Sequence, residues 1–88
     1  MIETEIFLEK RFGKNLGLRL NIEKLFKSID KNTTRVIMNF EGVEFIGRSA
    51  TQEYLNQKYI AHFEVIEKNM SEEVEKMFGI ILKLNNNE

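Results

Sequence analysis

The run Val36-Ile37-Met38-Asn39-Phe40 constrains this chain more than any other stretch. Apolar side chains in near succession fit a strand covered on both faces, the situation of a central strand in an α/β sheet. The flanking sequence agrees. Residues 2–8 alternate, with Ile2, Thr4, Ile6 and Leu8 on one side and Glu3, Glu5 and Phe7 on the other, which predicts a half-buried strand. Phe63, Val65 and Ile66 mark a third, short strand.

Between the strands the period lengthens. Leu16, Leu18, Leu20 and Ile22 alternate, but Leu18, Ile22, Leu25, Phe26 and Ile29 follow helical spacing and run longer. A helix is therefore expected from about Gly17 to Ile29, after the turn signal Phe12-Gly13-Lys14-Asn15 and a short strand around Asn15–Leu16. A second helix should start at Ser49, whose spacing to Gln52 is that of a capping box, and run to about Tyr59 with Ala50, Tyr54 and Leu55 inward. Ser71 caps a third, with Glu72 and Glu73 in its first turn and an apolar stripe of Val74, Met77, Phe78, Ile81 and Leu82. The fold class expected is α/β: a small β-α-β-α-β-α layered domain, a sheet with helices packed against it and right-handed crossovers between parallel strands. Residues 1–84 read as one domain and 85–88 as a polar C-terminal tail.

Composition removes several chemistries. The chain has no cysteine and one histidine, His62, so disulfides, thiolate metal sites, cysteine nucleophiles and multi-histidine metal sites fall away. No metal and no cofactor is expected. Among 88 residues, 13 Lys and Arg face 14 Asp and Glu, spread without a basic face, which argues against nucleic acid as a partner. No run approaches the roughly 20 apolar residues of a membrane span. Acidic residues from Glu3 onward argue against a signal peptide, and a cytoplasmic location is expected.

The most informative stretch is Asn39-Phe40-Glu41-Gly42-Val43-Glu44-Phe45-Ile46-Gly47-Arg48-Ser49, which passes from a buried strand through a tight loop to a helix start. Ligands of open α/β sheets gather outside the carboxyl ends of strands, and a helix N-terminus offers unpaired N–H groups to an anion. No nucleophile–base pair and no paired acids can be assembled, so no enzyme activity is expected.

This stretch resembles the STAS domains, the sulfate-transporter and anti-sigma-factor-antagonist fold. It resembles more closely the smaller STAS-like family of unknown function, whose pattern reads D-F-x-G-V-x-x-I-x-R-S-F-A-D-E. Phe40, Gly42, Val43, Ile46, Arg48, Ser49 and Glu53 match that pattern, and Gly13 matches the glycine that precedes the first helix. The resemblance spans roughly residues 2–84, with 36–55 its distinctive part. It implies a non-enzymatic protein-interaction module for signalling, docking a histidine-kinase-like ATPase or an anti-sigma-type regulator through the 41–59 loop and helix. Ser49 falls on the serine that such a partner phosphorylates in anti-sigma antagonists. Asn39 and Gly47 stand where those proteins carry aspartates, and Arg48 where they carry a serine. The partner-binding set is then Glu44, Arg48, Ser49, Gln52 and Glu53, with Gly13, Gly42 and Gly47 shaping the loops.

Each residue also has a plainer reading. Ser49 can be an N-cap rather than a phospho-acceptor. Arg48 can pair with Glu44 or Glu53, or bind an anion or nucleotide at the helix start, which is the alternative function. Gly42 and Gly47 serve backbone geometry, Asn39 hydrogen-bonds at a strand end, and Met38, Met70 and Met77 fill core gaps. His62 reads as a helix-end or half-buried packing residue. Glu64, Glu67, Glu72, Glu73 and Glu75 read as a solvated acidic face. Tyr54, Tyr59 and Phe7 are hard to enclose in so small a core; exposed together they would form a patch for a partner or for a homodimer.

Overall fold

The computed structural model describes residues 1–85. Its elements are β1 (Glu3–Phe7), α1 (Leu8–Phe12), β2 (Asn15–Leu16), α2 (Arg19–Lys27), β3 (Arg35–Asn39), β4 (Phe45–Ile46), α3 (Arg48–Ile60), β5 (Glu64–Lys68) and α4 (Glu72–Asn85). The strands form two parallel sheets, β1-β3-β5 and a small β2-β4 pair. The apolar run around Val36 is the central strand, in register with Thr4 on β1 and Val65 on β5. The α/β layered architecture expected from the sequence is the one observed.

Both crossovers of the main sheet advance in the same direction, from β1 to β3 to β5. Right-handed connections then place α2 and α3 on one face, where they pack against each other and α4 packs against α3. Burial follows that asymmetry. Ile6, Val36, Met38 and Val65 are buried, whereas Ile37 and Ile66 are half-buried and Glu5 and Phe7 exposed. The central strand is thus closed on one face only, which corrects the expectation that both are covered. On the open face the register row Glu3, Arg35, Glu64 becomes an ion triplet, with the Arg35 Nε donating to Glu64 at 3.0 Å.

Tyr54 lies at the centre of the core, 0% exposed, so it belongs to no surface patch. Its ring meets Phe26, Phe40 and Phe78 edge-on at 5.3, 5.9 and 5.2 Å between centroids. Such pairs contribute roughly 0.5–1.5 kcal/mol each beyond area burial. A phenol can enter the core because its hydroxyl has a partner: it donates to Glu67 Oε2 at 2.7 Å, and Lys58 Nζ donates to both oxygens of the same carboxylate at 3.0 Å. Glu67 therefore leaves the acidic face to which its sequence neighbours assigned it. Tyr59 is 90% exposed and Phe7 lies under Lys10, whose ammonium sits 5.2 Å from the ring centroid. His62 is exposed, its ring edge-on to Phe63 at 4.8 Å. Met38 is buried, and Met70 and Met77 pack half-buried against the core.

Several boundaries differ from the sequence reading. Leu8 turns into the single-turn helix α1 instead of ending a strand, and its side chain is fully buried. The first long helix spans Arg19–Lys27, shorter than 17–29 at both ends. The last helix continues through Asn85, one residue into the expected tail; residues 86–88 lie outside those described. Ser71 caps α4 as expected, its hydroxyl accepting from the Val74 N–H at 3.2 Å.

Candidate functional site

The corner after β3 is built around Asn39, a 4%-exposed amide with every polar atom engaged across three chain segments. Its Nδ2 donates to Glu5 Oε2 at 2.9 Å, and its Oδ1 accepts from the Glu41 N–H at 3.0 Å and from Asn69 Nδ2 at 3.1 Å. It ties β1, the corner loop and the exit of β5 together, the strand-end role that the sequence proposed. The loop then turns tightly, with the Val43 N–H donating to the Phe40 carbonyl at 2.9 Å. Gly42 supplies φ +85° there, and a Cβ on it would stand 3.0 Å from the Glu9 Cγ. Gly13, at φ 85° and ψ −169°, occupies backbone space that is essentially reserved for glycine. Gly47 is different: its φ of −78° suits any residue, and an added Cβ would find only ordinary contacts, with Gly17 and the Leu16 carbonyl. Its expected role as a conformationally required glycine is corrected.

Beyond the turn, backbone pairing draws the corner against the segment after β1. The Glu44 N–H donates to the Lys14 carbonyl at 2.8 Å and the Gly47 N–H to the Leu16 carbonyl at 2.8 Å. This pairing holds Gly47 extended (ψ 165°), so α3 starts at Arg48 with Gly47 as its N-cap. The capping box therefore does not form. Ser49 sits inside the first turn, not before it, and Gln52 turns its amide to Asn56 Oδ1 at 3.0 Å. Thr51 closes the turn instead, donating both its N–H (2.9 Å) and its hydroxyl (2.8 Å) to the Gly47 carbonyl.

Relieved of the cap, Ser49 is exposed and its hydroxyl makes no hydrogen bond among the described residues. Arg48, Ser49, Gln52 and Glu53 come together along one open groove of about 590 Å³, which Gly17, Arg19, Asn56 and Ile81 complete. Arg48 pairs with neither Glu44 nor Glu53 among the described residues. Glu53 instead faces Arg19 at 3.9 Å and accepts from Gln57 at 2.7 Å, and Glu44 faces Lys14 at 3.8 Å. Glu44 lies in a separate depression, with Gly42 and the start of α4 at Ser71–Glu73. The structure thus gathers four of the five expected contact residues and leaves Glu44 apart.

Arg19 is the charged residue of this groove that sequence reasoning missed. Its place depends on how α2 docks against α3, which no local spacing encodes. Phe45 and Leu18 are also exposed at this end of the molecule, 50% and 65% respectively. The parallel register of β2 with β4 sets Asn15 beside Phe45 and Leu16 beside Ile46. Among the described residues no three His, Asp or Glu side chains gather as a metal site would require. No described helix is long and apolar enough to cross a membrane. Comparison with protein-family models, with curated proteins and with solved structures finds no match to this chain.

Proposed function

We propose that the chain is a STAS-like, non-enzymatic interaction module of a cytoplasmic signalling system. It docks a protein partner of the histidine-kinase-like ATPase or anti-sigma type through the corner at Phe45–Ser49 and the adjoining face of α3. The observation that carries this reading is the freedom of Ser49. Its hydroxyl is exposed in the first turn of a 13-residue helix and makes no hydrogen bond among the described residues, and it stands beside Arg48, which pairs with no carboxylate among them. Phe45 and Leu18, exposed on the segments that lead into α3 and α2, offer apolar surface to the same partner. Interfaces of this kind take their energy from a few aromatic and arginine anchors.

Ser49 acts as the switch. Transfer of the γ-phosphoryl group of ATP to its Oγ releases ADP and adds about −1.5 to −2 charges to the contact surface, and a partner complementary to the neutral hydroxyl is released. Mixing the full chain with Mg-ATP and candidate ATPases, and reading intact mass, should show one added phosphoryl group that Ser49→Ala abolishes. A Ser49 that stays unmodified, in a complex indifferent to Ser49→Glu, would remove the switch.

A second reading rests on Arg19 and Arg48 lining the same groove beside the first N–H groups of α3: a small anion or nucleotide binds there. Thermal denaturation in the presence of ATP, GTP and inorganic phosphate separates the two readings. A ligand held only by the folded chain raises the midpoint by mass action, whereas a pure docking surface leaves it unchanged.

A further inference from the structure

The two edges of the main sheet differ. β5 has β3 as its one neighbouring strand. The Glu64 N–H donates to the Thr34 carbonyl at 3.0 Å, and the Lys68 carbonyl accepts from the Phe40 N–H at 2.8 Å. Main-chain direction alternates along a strand, so Glu64, Ile66 and Lys68 turn their backbone to β3, while Val65 and Glu67 turn theirs outward. Those outward N–H and C=O groups have no hydrogen-bond partner among the described residues. Such an edge is a template for another strand. The side chains beside it are ordered by charge. On the open face of the sheet β5 carries Glu64 at one end, Ile66 in the middle and Lys68 at the other. Glu64 shares Arg35 with Glu3, two carboxylates on one guanidinium, and Lys68 pairs with no carboxylate among the described residues. The remaining charge of the strand, Glu67, is held on the helix face by Tyr54 and Lys58.

The order Glu64, Ile66, Lys68 is complementary to its own reverse. We infer that β5 is a homodimer edge, paired antiparallel with β5 of a second copy across a two-fold axis at Ile66, so that two three-stranded sheets become one of six strands. In an isologous contact each pairing occurs twice, and here Glu64 of each copy stands opposite Lys68 of the other. Ile66 meets Ile66 as a pair without main-chain bonds, the Cα atoms about 4.5 Å apart. Val65 of each copy faces Glu67 of the other as a bonded pair, and the two exchange the outward N–H and C=O groups that the single chain leaves open. The parity of the ladder and the order of the charges thus select the same register. Slid two residues one way, Glu67 would oppose Glu67; slid the other way, Lys68 would oppose His62 and lose its carboxylate. On the open face the rows of the sheet continue through the axis. Ile37 and Ile66 join their copies in one apolar row, and Lys68 extends the other copy's Glu64, Arg35 and Glu3 into a row of alternating charge. The opposite edge, β1, is unsuited to the same contact, because its full antiparallel register with itself sets Glu5 against Glu5. The assembly therefore closes at two copies. No residue of β5 lines the groove at Arg48 and Ser49, so the inference stands apart from the docking proposal.

Sedimentation equilibrium of the full chain over a concentration series, with amide hydrogen exchange read by NMR, tests it. The expected result is a reversible dimer in which the Val65 and Glu67 N–H groups gain at least tenfold protection over the monomer. Glu64→Lys and Lys68→Glu each set like charges opposite one another at both ends of the pairing, and each should weaken association at least tenfold. An equimolar mixture of the two variants should dimerise as wild type does, because each carries the charge that the other needs, an outcome that a folding defect cannot imitate. A monomer at all concentrations overturns the inference and leaves the edge to a strand of another protein. So does a dimer in which those two amides exchange as they do in the monomer, or a mixture that associates no better than either variant alone.

Discussion

Asn39 shows why a single atom type matters at the corner. Its Nδ2 donates to the Glu5 carboxylate, a bond that an aspartate in its place could not make. The amide at this position is thus required by the neighbouring strand. Asn39→Asp would set a buried carboxylate against that of the exposed Glu5 and should cost about 1–3 kcal/mol at neutral pH. Glu5→Gln in the same chain should recover most of that loss, as read by urea unfolding. Tyr54 makes a second prediction. Burial, then the Glu67 charge and the hydrogen bond to it, push this phenol well above its ordinary value of 10.0. The folded chain holds the proton more tightly than the unfolded chain. The resulting stability is complete below pH 10 and fades as pH rises from there towards the folded value. Tyr54→Phe should cost about 1–2 kcal/mol at pH 7 through the lost hydrogen bond. The gap between the two proteins should narrow in urea titrations above pH 10.

At the scale of elements, the sequence was most legible where local pattern and tertiary demand agree. The run at 36–40 declared the central strand, Ser71 declared the start of α4, and the 2–8 alternation located β1. It was least legible where a partner segment decides. The Ser49–Gln52 spacing had the form of a capping box, but the Gly47-to-Leu16 pairing moved the helix start to Arg48 and gave closure of the turn to Thr51. The same kind of displacement sent Glu67 under Tyr54 and Arg19 into the groove, because both depend on packing between elements distant in sequence. The reassignment is measurable. Ser49→Ala should change stability by less than about 0.5 kcal/mol, as at other exposed positions without a structural bond. Thr51→Ala should cost about 1–2 kcal/mol, because it strips a fully buried hydroxyl bond. A cap at Ser49 would reverse that order. Gly42→Ala should cost about 1–2 kcal/mol, since its positive φ and its contact with Glu9 both resist a side chain.

The whole molecule sets a packed core beside one exposed corner. One sheet face and three helices hold a core centred on Tyr54, and the carboxyl ends of β1, β3 and β5 support a corner whose backbone is pinned at Glu41, Val43, Glu44, Phe45 and Gly47. The docking proposal rests on the contrast between that fixed loop and Ser49 and Arg48, whose side chains make no bond among the described residues. Quantitative co-purification with the tagged full-length chain tests it most directly, comparing wild type with Ser49→Ala, Ser49→Glu and Arg48→Glu. The account predicts a signalling ATPase or kinase-like regulator that wild type and Ser49→Ala retain equally and that Ser49→Glu and Arg48→Glu lose at least tenfold. Retention of the same regulator by all four proteins, or no regulator whose binding depends on this corner, would contradict it.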